Sequence, residues 1–240
     1  MKTYKANGIV LHTVKYGDSS MVAYVLTDLY GRQNYMIQGV KKSGRGNKAA
    51  MFQPMFPIEF EGIESPKMQL HRMKEVHLSR PLKSIAFDVR KSTIALFLAE
   101  VLYRLVRESE PNERLFNFVD GCVTALDEME EGVANFHLWF LVRLSGLLGF
   151  YPQNDYEEGC FFDIVEGRFT PLLPAGGLLF DAENARLLHR LMDCDPLQLA
   201  QIELSRQRRS DFLTALLRYI GYHLDAVNHI KSVKIFSELF

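Results

Sequence analysis

Four cations stand within eight residues in Lys41-Lys42-Ser43-Gly44-Arg45-Gly46-Asn47-Lys48, separated only by small or flexible side chains. Ammonium and guanidinium groups on such a loop can follow an irregular phosphate backbone and release its counterions. Arg32, in the preceding turn Tyr30-Gly31-Arg32, is placed to join them. Phosphate contacts position a strand without reading its bases, so little sequence preference is expected. The rival reading is a merely solvated basic loop. Single-strand binders add aromatic platforms, and Tyr4, Tyr16, Tyr24, Tyr30 and Tyr35 are available. Tyr35 alternates in phase with Ile37, and Tyr24 with Val22 and Leu26, which assigns both to a core. Tyr16 and Tyr30, beside turn glycines, are better placed to face solvent.

Catalytic chemistry finds no comparable footing. The chain has no GxxxxGK[ST], and Gly44-Arg45-Gly46 lacks a third glycine and precedes basic coil. GxSxG, HExxH and HRD patterns are absent too. The seven histidines are scattered, none paired at i, i+4 as a helical metal site requires. Glu128, Glu130 and Glu131 read as a solvated helix tip, and Asp155, Glu157 and Glu158 lack calcium-loop spacing. Cys122, Cys160 and Cys194 contain no CxxC pair and read as free thiols. No enzyme, cofactor or metal is expected. A second basic cluster, Arg206, Arg208 and Arg209, opposes the dipole of the helix it precedes, a small cost that a partner could offset; solvation is the simpler reading.

The elements that must carry these residues change character near residue 80. Runs at Ile9–Val14, Met21–Leu26, Gln33–Val40, Met55–Phe60 and Met68–Leu78, split by turn formers, predict five short strands. Five strands in so short a span, interrupted by the basic loop after the third, suit a closed OB-type barrel. Beyond Pro81 apolar residues recur at helical spacing: a central helix over Ser84–Glu108, a second around Leu115–Leu126, and a third over Phe136–Leu148 with Trp139 in the core. Two more follow at Ala182–Met192 and Ser210–Leu224. Between them, the region 151–177 holds a hairpin at Cys160–Phe169. The expected fold is therefore α+β, with an OB-fold nucleic-acid-binding domain over 1–80 and an α-helical domain over 81–240.

Charge follows the same division. Residues 1–80 carry twelve Lys/Arg against six Asp/Glu, a net of +6, and the remainder carries −7, although the 240-residue chain averages to −1. A basic module joined to an acidic one points to a polyanion at the first and structure or protein contacts at the second. With 48% hydrophobic and 24% charged residues the chain reads as folded and globular. It has neither a membrane-length apolar run nor a signal peptide, so the cytoplasm is the expected compartment.

The layout and several stretches resemble the RecO family of bacterial recombination mediators over nearly the whole chain. The resemblance rests on Gly8-Ile9-Val10-Leu11 leading to Tyr16-Gly17-Asp18, on Thr27 followed by Tyr30-Gly31-Arg32, and on Gly39-Val40-Lys41-Lys42. Gln53-Pro54, Leu148-Gly149-Phe150, and Leu217-Arg218-Tyr219-Ile220-Gly221-Tyr222-His223-Leu224 with Lys231-Ser232 extend it. It implies an N-terminal OB-fold, a helical C-terminal domain and no turnover of covalent bonds. It also implies binding of single- and double-stranded DNA, strand annealing, contact with the acidic tail of single-stranded DNA-binding protein, and RecA loading together with RecR. The DNA contacts it implies fall on Arg32, Lys41, Lys42, Arg45 and Lys48; the tail pocket is not placed. Many relatives carry a four-cysteine zinc element after the Gly-Phe stretch, whereas Asn154, Asp155 and Tyr156 stand here and Cys160 is alone. The hairpin is accordingly expected to hold through Phe161, Phe162, Ile164 and Phe169. The rival functions are an RNA-binding OB module and a protein-interaction adaptor.

Overall fold

The computed structural model describes residues 3–40, 48–64, 70–107, 109–173, 177–233 and 236. They fall into two compact units, Met1–Glu128 and Met129–Phe240.

The first unit opens with five strands, β1 (Thr3–Tyr16), β2 (Ser20–Thr27), β3 (Gly31–Gln38), β4 (Pro57–Ile63) and β5 (His71–Leu78). They close into an OB-type barrel in the order β1-β2-β3-β5-β4, which leaves no free edge for a second chain to extend. β1 extends beyond the expected Ile9–Val14 because it serves two neighbours. Its first half pairs antiparallel with β4, from Thr3 opposite Ile63 to Ile9 opposite Pro57. Its second half pairs with β2 from Gly8 to Tyr16, with an irregularity between Val10 and His12 that lets the strand turn. Gly8 sits where the strands come closest: a Cβ there would overlap Val25. The circuit closes through a parallel pairing of β3 with β5, Tyr35 opposite His71 and Met36 opposite Arg72.

Inside the barrel pack Ala6, Val10, Ala23, Val25, Tyr35, Ile37, Ile58, Phe60 and Met73, joined by Phe52 from the 3-10 turn Lys48–Phe52. The Tyr35 hydroxyl reaches out of this core to share a hydrogen bond of 3.0 Å with the Tyr4 hydroxyl.

Two helices complete the unit, α1 (Val89–Leu105) and α2 (Glu113–Glu128). α1 begins at Val89 rather than at Ser84 because Asp88 caps it, accepting from the backbone N–H of Arg90 and Lys91. The residues just upstream are claimed by Asp127, whose carboxylate accepts from the backbone N–H of Lys83, Ser84 and Ile85 at 2.7, 2.8 and 2.9 Å. The buried Lys91 ammonium donates to the Asp127 carbonyl at 2.8 Å and to the Ser84 hydroxyl at 2.6 Å. A cation at the carbonyl end of α2 is favoured by the helix dipole. The segment leaving the barrel is thereby fastened to both helices.

In the second unit α3 (Phe136–Leu147) buries Phe136, Trp139 and Phe140, as a core helix should. With it come the short strands β6 (Phe161–Asp163), β7 (Arg168–Thr170) and β8 (Leu179–Phe180), and the helices α4 (Ala182–Asp193) and α5 (Arg206–His223). β6 and β7 form the expected hairpin, with Phe162 opposite Phe169. Phe162, Ile164 and Phe169 are buried, while Phe161 is only half-buried. The hairpin also leans on rings from elsewhere: Phe162 lies 5.4 Å from Phe180 and 5.3 Å from Tyr219 of α5. α5 starts earlier than Ser210 because the Ser205 hydroxyl caps it by accepting from Arg208 N–H. Among the described residues no helix is long and apolar enough to cross a membrane.

Removing the Asp127 carboxylate leaves three backbone donors without their acceptor. Asp127→Ala is expected to cost about 3 kcal/mol of unfolding free energy, since each unsatisfied buried donor costs about 1–3 kcal/mol. A change below about 0.5 kcal/mol in urea denaturation contradicts the assignment. Burial alone would raise the Asp127 pKa, but the hydrogen bonds from Lys83, Ile85 and Ser84 together outweigh it and hold the carboxyl below its ordinary value. Its contribution is therefore complete above the unfolded-state pKa of about 3.9 and is lost as pH falls through the lower folded value.

Candidate nucleic-acid interface

The turn between β2 and β3 determines where Arg32 points. The buried Thr27 hydroxyl donates to the Gly31 carbonyl at 2.9 Å and accepts from Tyr30 N–H at 3.0 Å. Gly31 has φ 61°, a left-handed conformation that glycine adopts without strain. β3 then starts with Arg32 on its outer side, opposite Leu26.

Arg32 does not extend freely into solvent. Its Nη1 donates to the Tyr103 carbonyl in the last turn of α1 at 2.7 Å, and its guanidinium lies 5.4 Å from the Tyr103 ring centroid. Burial lowers its pKa, although a guanidinium stays charged in proteins. Arg104 flanks the same ring at 5.5 Å. Tyr103 in turn lies 4.7 Å from the His12 ring and 5.0 Å from the Tyr24 ring. Desolvation and then the Arg104 charge depress the His12 pKa, with Glu100 opposing them. Tyr24 therefore belongs to this outer cluster and not to the barrel core. The register explains the correction: Ala23 stands opposite Tyr35 inside the barrel, so Tyr24 must face outward, and only Tyr35 and Ile37 fill the interior as expected.

The register also sets the outer surface of β1, β2 and β3 as cross-strand rows. One row is His12, Tyr24 and Asn34; the next is Val14, Val22 and Met36, continued by Arg72 of β5; the last is Tyr16, Ser20 and Gln38. Val14 is 45% and Tyr16 61% exposed. Tyr30, by contrast, is half-buried against Tyr4, with ring centroids 4.6 Å apart. No residue in the three rows is acidic. The outer side of β4 differs: Glu61 stands between Lys5 and Lys74 in register, and Glu59 meets His77 at 3.4 Å. The three outward rows on β1, β2 and β3 are thus free of acids, part apolar, part aromatic and edged with cations, while the β4 side has its charges matched.

Of the five expected contacts, Arg32 is half-buried as described and Lys48 is exposed at the head of its 3-10 turn. Lys41, Lys42 and Arg45 lie outside the described residues. β3 ends at Gln38 in the last of the three outward rows, three residues before Lys41 in the sequence. Arg72 was not anticipated, because only the parallel β3–β5 pairing brings it beside Met36. In the second unit, Arg208 meets Glu183 at 3.6 Å, and Arg209 donates to the Asn135 side-chain oxygen and the Leu204 carbonyl, both at 3.0 Å. Those two cations serve the unit's own structure.

Known proteins share this arrangement of sequence. Residues 1–82 match the family model described as Recombination protein O N terminal, and residues 86–232 that described as Recombination protein O C terminal. The chain is similar to proteins named DNA repair protein RecO. That of Phocaeicola vulgatus is 36% identical over 237 residues, that of Bacteroides fragilis 37% over 239 and that of Flavobacterium psychrophilum 34% over 237, each alignment spanning 98% of both chains.

A thiolate zinc site does not fit the segment after Phe150. Asn154 donates to Asp193 Oδ1 and accepts from His189 Nδ1, both at 2.9 Å, and Tyr156 stacks on the His189 ring at 4.5 Å. Cys160 is buried with a free thiol, and among the described residues no three His, Cys, Asp or Glu gather to hold a metal. Elemental analysis of the purified protein is expected to find no stoichiometric zinc. One equivalent retained through dialysis against a mild chelator contradicts that expectation.

Proposed function

The chain belongs to the RecO family of DNA repair proteins, and we propose that it acts there as a DNA-binding recombination mediator that brings complementary strands together. The observation that carries this reading is the run of three outward rows on β1, β2 and β3 without a carboxylate, followed three residues after β3 in the sequence by the start of the basic loop. Annealing requires two polyanions to approach. Cations spread along one surface lower that electrostatic barrier without hydrolysing a nucleotide and without making or breaking covalent bonds. Lys41, Lys42, Arg45 and Lys48 are the proposed phosphate contacts, and exposed Arg72 extends their reach along the barrel. Arg32 belongs to the same edge with one nitrogen already engaged.

In this reading single- and double-stranded DNA are the ligands, and RecA loading depends on contacts with RecR and with the acidic tail of single-stranded DNA-binding protein. The first unit has a mixed place for a protein side chain, a cavity of about 350 Å³ lined by Pro54, Phe56, Ile85 and Leu96 together with Gln53, Ser92 and Thr93, with exposed Phe87 beside it in sequence. Its lining suits a side chain better than a sugar-phosphate.

The test is a titration of labelled single strand across several salt concentrations. Four loop contacts predict a slope of log K against log salt of about −3, from roughly −0.7 per phosphate neutralised. Replacing Lys41, Lys42, Arg45 and Lys48 by Ala is expected to flatten the slope and slow annealing. An unaltered slope and affinity at low salt would overturn the loop as a site. Preference for RNA over DNA would favour an RNA-binding module, and negligible binding to either an adaptor.

A further inference from the structure

The acid-free face ends on a helix. At its covered end the Tyr103 ring, supplied by α1, meets His12 and Tyr24 from two strands, and two guanidiniums flank it. His12 is exposed, and Tyr24 and Tyr103 each keep part of their surface in solvent. The carboxylate nearest this group in the chain, Glu100, is drawn to Arg104 at 3.9 Å. Burial in α1 comes from Ile94, Phe97, Leu98, Val101 and Leu102, so the half-buried Tyr103 is not needed to fill that helix's core.

Three partly exposed aromatic rings beside two cations, with the apolar Val14, Val22 and Met36 in the next row, match one ligand chemistry well. An unpaired nucleobase is flat and apolar on its faces, stacks on aromatic rings, and carries a phosphate that the guanidiniums attract. A base inside a duplex already has both faces stacked and cannot enter. His12 adds ring surface beside the guanidiniums, and desolvation and then the Arg104 charge favour its neutral form. Arg32, committed to the Tyr103 carbonyl, has its best use in holding that ring in place.

We infer that Tyr103, His12 and Tyr24 form a stacking subsite for an unpaired base of a single strand, with Arg32 as the residue that positions Tyr103. This rests on the proposed DNA-binding role and adds to it a part that reads bases as flat surfaces, whatever their identity. The site distinguishes single strand from duplex, which phosphate contacts alone do not.

Fluorescence anisotropy with two labelled chains of equal length and equal phosphate number, oligo(dT) and a fully abasic strand, isolates the stacking. The full-length protein is expected to bind oligo(dT) about tenfold more tightly, within the range that stacking one base supplies. Tyr103→Leu fills similar space without a ring and is expected to erase the difference while leaving the salt slope intact. Tyr103→Phe is expected to keep it. Arg32→Ala should narrow the gap and also weaken the abasic strand modestly through the lost charge, whereas the loop variant should weaken both ligands alike and leave the gap intact. Equal binding of the two strands by the unmodified protein, or a full preference retained by Tyr103→Leu, overturns the subsite and leaves the electrostatic role standing. Binding of neither strand at low salt overturns both.

Discussion

A strand in a closed barrel has one side turned to the core and one to the outside, and this alternation governs the composition of the barrel's outer surface. Ala23, Val25, Tyr35 and Ile37 occupy the inner positions of β2 and β3, so Tyr24, Val22, Arg32 and Met36 are forced outward whatever their individual preferences. Closure then removes the free backbone edges, which leaves side-chain chemistry and not strand addition as the means of contact. Because the three outward rows that start at His12, Val14 and Tyr16 lack a carboxylate while β4 carries Glu59 and Glu61, charge is unevenly distributed around a barrel of modest charge. That asymmetry is a property of register, and net charge alone does not display it.

The second determinant is the attachment of α1. The Arg32 guanidinium and the Tyr103 carbonyl tie the helix to the head of β3, while Asp127 and Lys91 tie its other end to the chain leaving the barrel. Helix and strands therefore act as one support, and the aromatic group at their junction can be held in a defined shape before any ligand arrives. Preorganisation of this kind spares the side-chain ordering that flexible contacts must supply on binding. In the proposed reading the two features divide the work: a basic loop raises the encounter rate without setting geometry, and the preorganised face accepts the bases.

Much of the architecture was legible in the sequence, because alternation of period two and recurrence of period 3.6 are local properties. The five strands, the third helix and the hairpin of the second unit follow from them. What escaped depends on partners far along the chain. Tyr24 shares its alternation with Val22 and Leu26, but which phase is inward is decided by pairing with β3. Arg32 looks like a free cation until its partner 71 residues away is in place. Arg72 reaches the face only through a parallel contact between β3 and β5, and Phe180 and Tyr219 complete the hairpin from outside its own segment. Helix starts moved by four or five residues for a simpler reason, since Asp88 and Ser205 cap where the hydrophobic pattern alone gives no boundary.

The account stands on the outer side of β1, β2 and β3 being where a single strand lies. Photo-cross-linking of the full-length protein with a 5-iodouracil-substituted single strand, followed by peptide mapping, examines that placement directly. Cross-links are expected on peptides containing Tyr16, Tyr24 or Tyr103, and competition by unmodified single strand should remove them. Cross-links confined to residues 129–240, or to the β4 side of the barrel around Glu59 and Glu61, would contradict it.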